Sequence, residues 1–172
     1  MISVITRQIL PLTIAGIAVL MDLIQMQVKN SWILCSLIVG FIDSVYRNGW
    51  KGILIFLAGA VLPAAVLGGL FYFRMLGAGD VKTFCALGGI MGPACILHCI
   101  WYAFLAGAIL SAGIMVMCGE VSERLQYLTE YIKNYISTGK RKPYYKAGLK
   151  VENIHFTIPI FMSVMLYAGG IY

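Results

Sequence analysis

Apolar residues fall in long, nearly uninterrupted runs along this chain, separated by short polar breaks. A helix crossing a bilayer needs roughly 20 apolar residues, within a range of about 17–25. The first run covers about 5–23 and carries Asp22 at its end; we expect it to be retained as a span, because the chain simply continues into further apolar runs. A shorter run at about 31–46 begins Asn30-Ser31-Trp32, and a third, about 51–73, follows Lys51 and stops before Arg74. The stretch 83–118 contains no Asp, Glu, Lys or Arg. As one helix it would measure about 54 Å at ~1.5 Å per residue, against a bilayer core of about 30 Å. It must turn, and Gly92-Pro93 is the place, since glycine permits a turn and proline ends helices. That gives a short segment at about 81–91 and a longer one at about 94–118, and a last run covers about 154–172. The expected fold is all-α: a single polytopic membrane domain over 1–172 with six transmembrane segments.

The polar stretch 119–153 differs from the rest. Val121, Leu125, Leu128, Ile132 and Tyr135 recur at helical spacing with charges between them, the pattern of an amphipathic helix on a membrane surface. Residues 137–150 read as a basic linker. With this loop placed in the cytoplasm, alternating segments put Asp22 and Asp80 on that same side. Ten of the 13 Lys and Arg residues then lie inside (Lys29, Arg74, Lys82, Arg124, Lys133, Lys140, Arg141, Lys142, Lys146 and Lys150), and Arg7, Arg47 and Lys51 lie outside. Cytoplasmic loops of membrane proteins keep such an excess of basic residues.

Composition agrees with this pattern. The 172 residues are 60% hydrophobic and only 12% charged, and mean hydropathy is +0.87. Soluble domains carry about 25% charged residues. The solvent is lipid, and the net charge of +6 reports topology rather than a nucleic-acid surface, which would need basic residues interleaved with aromatics on a wet face. The five cysteines, Cys35, Cys85, Cys95, Cys99 and Cys118, all sit in apolar runs and form no C-x-x-C pair. Cys95, His98 and Cys99 lack evident further ligands, so no metal and no cofactor are expected.

Ionisable groups inside apolar segments are costly and mark function. Asp22 closes the first run and Asp80 opens the fourth, while Asp43 stands beside Arg47 and is expected to reach toward the headgroups. Two carboxylates held close share one proton, so that one can activate water while the other donates to a scissile carbonyl. The plain alternative is that each aspartate caps a helix or marks an interface. Gly77-Ala78-Gly79-Asp80-Val81-Lys82 is a G-x-G-D motif at a membrane edge, where two glycines would let the backbone bend. A phosphate-binding loop would need a preceding strand and G-x-G-x-x-G or G-K-[ST], which are missing.

Gly77 to Lys82, followed by Ala86-Leu87-Gly88-Gly89 and Gly92-Pro93, resembles the second motif of the type IV prepilin peptidases. Asp22 to Asn30 resembles the first, an Asp followed by a short run ending in Ile-Pro-Asn, with Val28-Lys29-Asn30 standing for that tripeptide. The resemblance implies an intramembrane aspartyl endopeptidase with Asp22 and Asp80 as the catalytic pair. Its substrates would be the basic leaders of prepilins, pseudopilins or tight-adherence pilins, cut at the cytoplasmic face of the cell membrane. The four-cysteine zinc region of the larger, methylating members is not found in the sequence, so the chain is similar to the minimal, peptidase-only form. Gly77 and Gly79 are expected to shape the loop, Lys82 to tune the pair or orient the peptide, and Lys29 and Asn30 to line the mouth of the site. The bilayer and a prepilin-like segment are the expected partners. The alternative is a non-catalytic scaffold or small transporter in pilus assembly, which would explain the topology but not two aspartates on one side beside a glycine pair.

Overall fold

The computed structural model describes residues 2–73, 75–117 and 155–172, together with positions 129, 133 and 137. Among the described residues there are six helices: α1 (Ile2–Gln25), α2 (Asn30–Asn48), α3 (Trp50–Tyr72), α4 (Ala78–Met91), α5 (Pro93–Met117) and α6 (Thr157–Ala168). They follow the six expected segments in order. Three stretches, Gln8–Gln25, Trp50–Tyr72 and Pro93–Ile114, are long and apolar enough to cross a membrane. The other helices are more polar or shorter. α2 carries Asp43 and Arg47, and α4 and α6 would extend only about 21 and 18 Å at ~1.5 Å per residue. The amphipathic helix expected within 119–153 lies outside the described residues, apart from Thr129, Lys133 and Ser137, which are helical and exposed.

The chain forms two compact units, Met1–Ala106 with His155–Tyr172, and Gly107–Ile154. In the first, each helix buries one stripe at three- and four-residue spacing, as a 3.6-residue period requires. On α1 the stripe is Pro11, Ile14, Ala15 and Ala18, and Asp22 stands on its continuation. On α2 it is Ile33, Ser36, Gly40 and Ser44, and on α3 Gly52, Phe56, Gly59, Pro63 and Leu67. α4 differs: Thr83, Phe84, Ala86, Leu87, Gly88, Gly89 and Met91 are all buried, so it is enclosed on most of its circumference. α1, α2 and α3 all pack against it.

Small residues set the closest approach. A Cβ on Gly59 would collide with the carbonyl oxygen of Gly88, and one on Gly88 with that of Gly59, so the backbones of α3 and α4 touch there. Ser44 on α2 donates its hydroxyl to the Gly52 carbonyl on α3 at 2.8 Å, satisfying a buried polar group across the hairpin. The expected turn at Gly92-Pro93 is present. Gly92 has φ +83°, and Pro93 is the first residue of α5, where its missing N–H costs nothing. The outer faces are apolar, with Leu20, Leu54, Val61 and Trp101 among the exposed large side chains, as lipid contact requires.

In the second unit, the described residues from Gly107 to Met117 continue α5, and Ser111 bonds back to the Ala108 carbonyl at 3.0 Å.

Candidate active site

The inward stripe of α1 carries Asp22 to the end of the helix. Met26 donates its N–H to the Asp22 carbonyl at 2.8 Å and takes φ +55°, turning the chain out of α1. The chain re-enters helix at Asn30 through Lys29, whose φ of −65° and ψ of 136° are extended and whose carbonyl accepts from Trp32 and Ile33. Lys29 therefore holds the dihedral that a proline would fix at this position, and the turn between α1 and α2 forms without one.

Asp80 stands in the first turn of α4, outside the three membrane-crossing stretches. The helix begins at Ala78, three residues earlier than the apolar run suggests, so the G-x-G-D segment is a helix start and not a bent loop. Gly77 is extended, at φ −71° and ψ 147°, and neither Gly77 nor Gly79 takes a positive φ. What distinguishes Gly77 is proximity: a Cβ there would lie 3.1 Å from Asp80 Oδ2, whereas a Cβ on Gly79 would meet nothing within 4 Å. The Gly77 N–H donates to the Asp80 carboxylate.

The two aspartates come together at one end of the helices. Burial first, and the Asp22 charge second, push Asp80 up to about 6, with the Gly77 N–H and His155 acting in the opposite direction. Asp22 has partners of its own. Thr157 donates its hydroxyl to Asp22 Oδ2 at 2.7 Å, and His155 Nδ1–H donates to the same oxygen at 3.0 Å. The nitrogen that bonds a carboxylate must carry a proton, so Nδ1 is the donor here. Thr157 is 2% exposed and is the first residue of α6.

Lys82 donates to Asn30 Oδ1 at 2.9 Å, tying the start of α4 to the start of α2, and its side chain remains exposed. Of the residues expected from sequence, Asp22, Asp80 and Gly77 meet around the carboxylates and Lys82 meets Asn30. Lys29 is exposed in the adjoining turn, and Gly79 faces open space. His155 and Thr157 were not legible as site residues. Their only signal is a pair of polar side chains two apart at the head of the last apolar run, one of them among just two histidines in the chain. Elsewhere, Asp43 pairs with Arg47 at 2.8 Å. His98 Nδ1 lies 3.0 Å from the Ala94 carbonyl of its own helix, and its ring stacks on Tyr172.

A helical protein with apolar outer faces and three helices long and apolar enough to cross a membrane defines a class, the polytopic membrane proteins. Residues 9–112 match the model of the type IV leader peptidase family, and the chain belongs to that family. It is therefore a membrane protein of the leader-peptidase kind, a family whose peptidases are of the aspartic type. The matched stretch contains Asp22, Gly77 and Asp80 and ends before His155 and Thr157. No curated protein and no solved structure matches the chain.

Proposed function

We propose that the protein is a membrane aspartyl endopeptidase that removes the leader from type IV prepilin-like precursors, tight-adherence pilins and pseudopilins included, with Asp22 and Asp80 as its catalytic pair. The observation that carries this reading is that two aspartates 58 positions apart in sequence, one at the end of α1 and one at the start of the α4 packed against it, lie within range for the Asp22 charge to act on Asp80. Both fall inside the residues matched by the family. A structural pair of helix caps would have no reason to set two like charges against each other in a partly buried site.

The chemistry follows from one shared proton. The ionised carboxylate takes a proton from water as the water oxygen attacks the scissile carbonyl carbon. The protonated carboxyl gives its proton to the carbonyl oxygen, forming a gem-diol. The first carboxyl then protonates the amide nitrogen as the C–N bond breaks, and the second recovers a proton from the diol. The pair ends with one proton, as it began. No metal enters the scheme. The lysine excess at this end of the helices favours a cytoplasmic mouth, where Lys29 and Asn30 would line the approach of the leader.

The test is cleavage of a precursor bearing a short basic leader before an apolar helix, in membranes carrying the full-length protein. Asp22→Asn and Asp80→Asn should each lose cleavage by at least about a thousandfold, and the double variant should be no worse than either, because residues acting as a unit fail together. Persistent cleavage by well-expressed Asp80→Asn would return Asp80 to the role of a helix-terminal residue.

A further inference from the structure

Asp22 and Asp80 are held differently, and the difference lies in α6. Both side-chain donors from the head of that helix converge on a single atom, Asp22 Oδ2. The N-cap position of α6 is Phe156, which has no polar side chain, and Thr157, the first residue of the helix, reaches its hydroxyl across to α1. Two hydrogen bonds converge on Oδ2, and bonds to a charged acceptor are about twice as strong as neutral ones, so this arrangement favours the ionised carboxylate. Among the described residues no side chain donates to Asp80 in this way; its carboxylate rests against the Gly77 N–H. Among the described residues, the groups facing Asp22 from the elements packed on α1 are Thr157 at the start of α6, His155 just before it, and Asp80 on α4, while Lys82 is engaged with Asn30.

We infer that His155 and Thr157 are positioning residues that hold Asp22 as the ionised, water-activating member of the pair and so leave the shared proton on Asp80, which acts as the acid. The inference rests on the peptidase reading above but concerns residues beyond the stretch matched by the family. It gives the two carboxylates distinct roles, and it makes the last helix part of the machinery as well as of the packing.

The experiment reads the proton directly. Dicyclohexylcarbodiimide attacks protonated carboxyls in apolar surroundings, and its adducts can be mapped by mass spectrometry on the full-length protein in detergent. The wild type should carry the adduct on Asp80 and not on Asp22. Thr157→Val and His155→Phe should each raise the share on Asp22 several-fold, and Thr157→Ser, which keeps the hydroxyl, should restore the wild-type distribution. In the cleavage assay, Thr157→Val should move the acidic limb of the pH profile upward by about one unit with KM little changed, and Thr157→Ser should move it back. Equal labelling of Asp22 and Asp80 in the wild type would overturn the inference, as would an unmoved distribution in both Thr157→Val and His155→Phe. A uniform fall in rate at every pH without a shifted limb would reduce α6 to packing. Labelling needs no leader substrate, so a wild-type protein that labels as expected but cuts no precursor would sink the peptidase reading alone.

Discussion

Burial and the neighbouring Asp22 charge both oppose ionisation of Asp80, so the folded protein holds this proton more tightly than the unfolded chain does. The sign for stability follows from linkage. Below about pH 4 both states are protonated and ionisation costs nothing. As pH rises the unfolded chain ionises first, stability falls, and the loss is complete above about 6. Asn at this position cannot ionise. Asp80→Asn should therefore abolish cleavage and yet melt about 6–12 °C above wild type at pH 7 in detergent, the two curves meeting near pH 4. A variant that melts below wild type at pH 7 would show that the burial of Asp80 carries no such cost. The glycines beside it separate in the same spirit. A methyl on Gly77 would press on Asp80 Oδ2 without any backbone strain, whereas the space at Gly79 is open. Gly77→Ala should lower cleavage by about tenfold or more at nearly unchanged melting temperature, since small displacements of a reacting group are costly. Gly79→Ala should cost far less. Asp22 and Asp80 could be picked out from sequence because a charge in an apolar run stands out. Thr157 and His155 could not, because their contact with Asp22 spans 135 and 133 residues and neither is an acid standing out of an apolar run.

At the scale of elements, the turn from α1 to α2 shows how a missing proline can leave geometry intact. The sequence has lysine where the family motif has proline, and the backbone dihedrals at Lys29 fall within the proline range all the same. The preceding Val28 lies outside helix, which a following proline requires. Lys29→Pro should then stabilise the protein by about 0.4–1 kcal/mol, through the unfolded chain rather than through any new contact. Thermal melts in detergent check it, and a lower melting temperature would mean that the Lys29 N–H or side chain matters more than the dihedral. Helix positions were readable throughout because apolar run length and the Gly92-Pro93 break are strong signals. α4 starts earlier than the apolar run predicts: glycines suggest a bend, but the left-handed backbone that would demand glycine is adopted at Gly92 and not at Gly77 or Gly79. α6 ends earlier than the last run, because Gly169 and Gly170 interrupt it and Gly170 takes φ +76°.

For the first unit taken whole, contacts and charge assign an end to each helix. The bonds from Thr157 to Asp22 and from Lys82 to Asn30 gather the end of α1 and the starts of α2, α4 and α6. The end of α2 and the start of α3, where Arg47 and Lys51 lie, are separated from them by the 19 residues of α2, about 28 Å of helix at ~1.5 Å per residue. A bilayer core is about 30 Å thick, so these two ends should face different compartments. The sequence expectation that alternating segments keep the basic excess inside makes the end with Lys29 and Lys82 the cytoplasmic one, and this is what the measurement tests. Single cysteines placed in a background lacking the five native ones give the measurement. Lys29→Cys and Lys82→Cys should react with an impermeant maleimide only after the cytoplasmic side is opened, and Arg47→Cys and Lys51→Cys should react in intact cells. Reaction of Lys29→Cys and Lys82→Cys from opposite sides would break the shared end and the aspartate pair with it. Reaction of both from outside would keep the pair but turn its mouth away from the compartment in which leader-bearing precursors are made. Helix geometry would survive that result, and the proposed substrate would not.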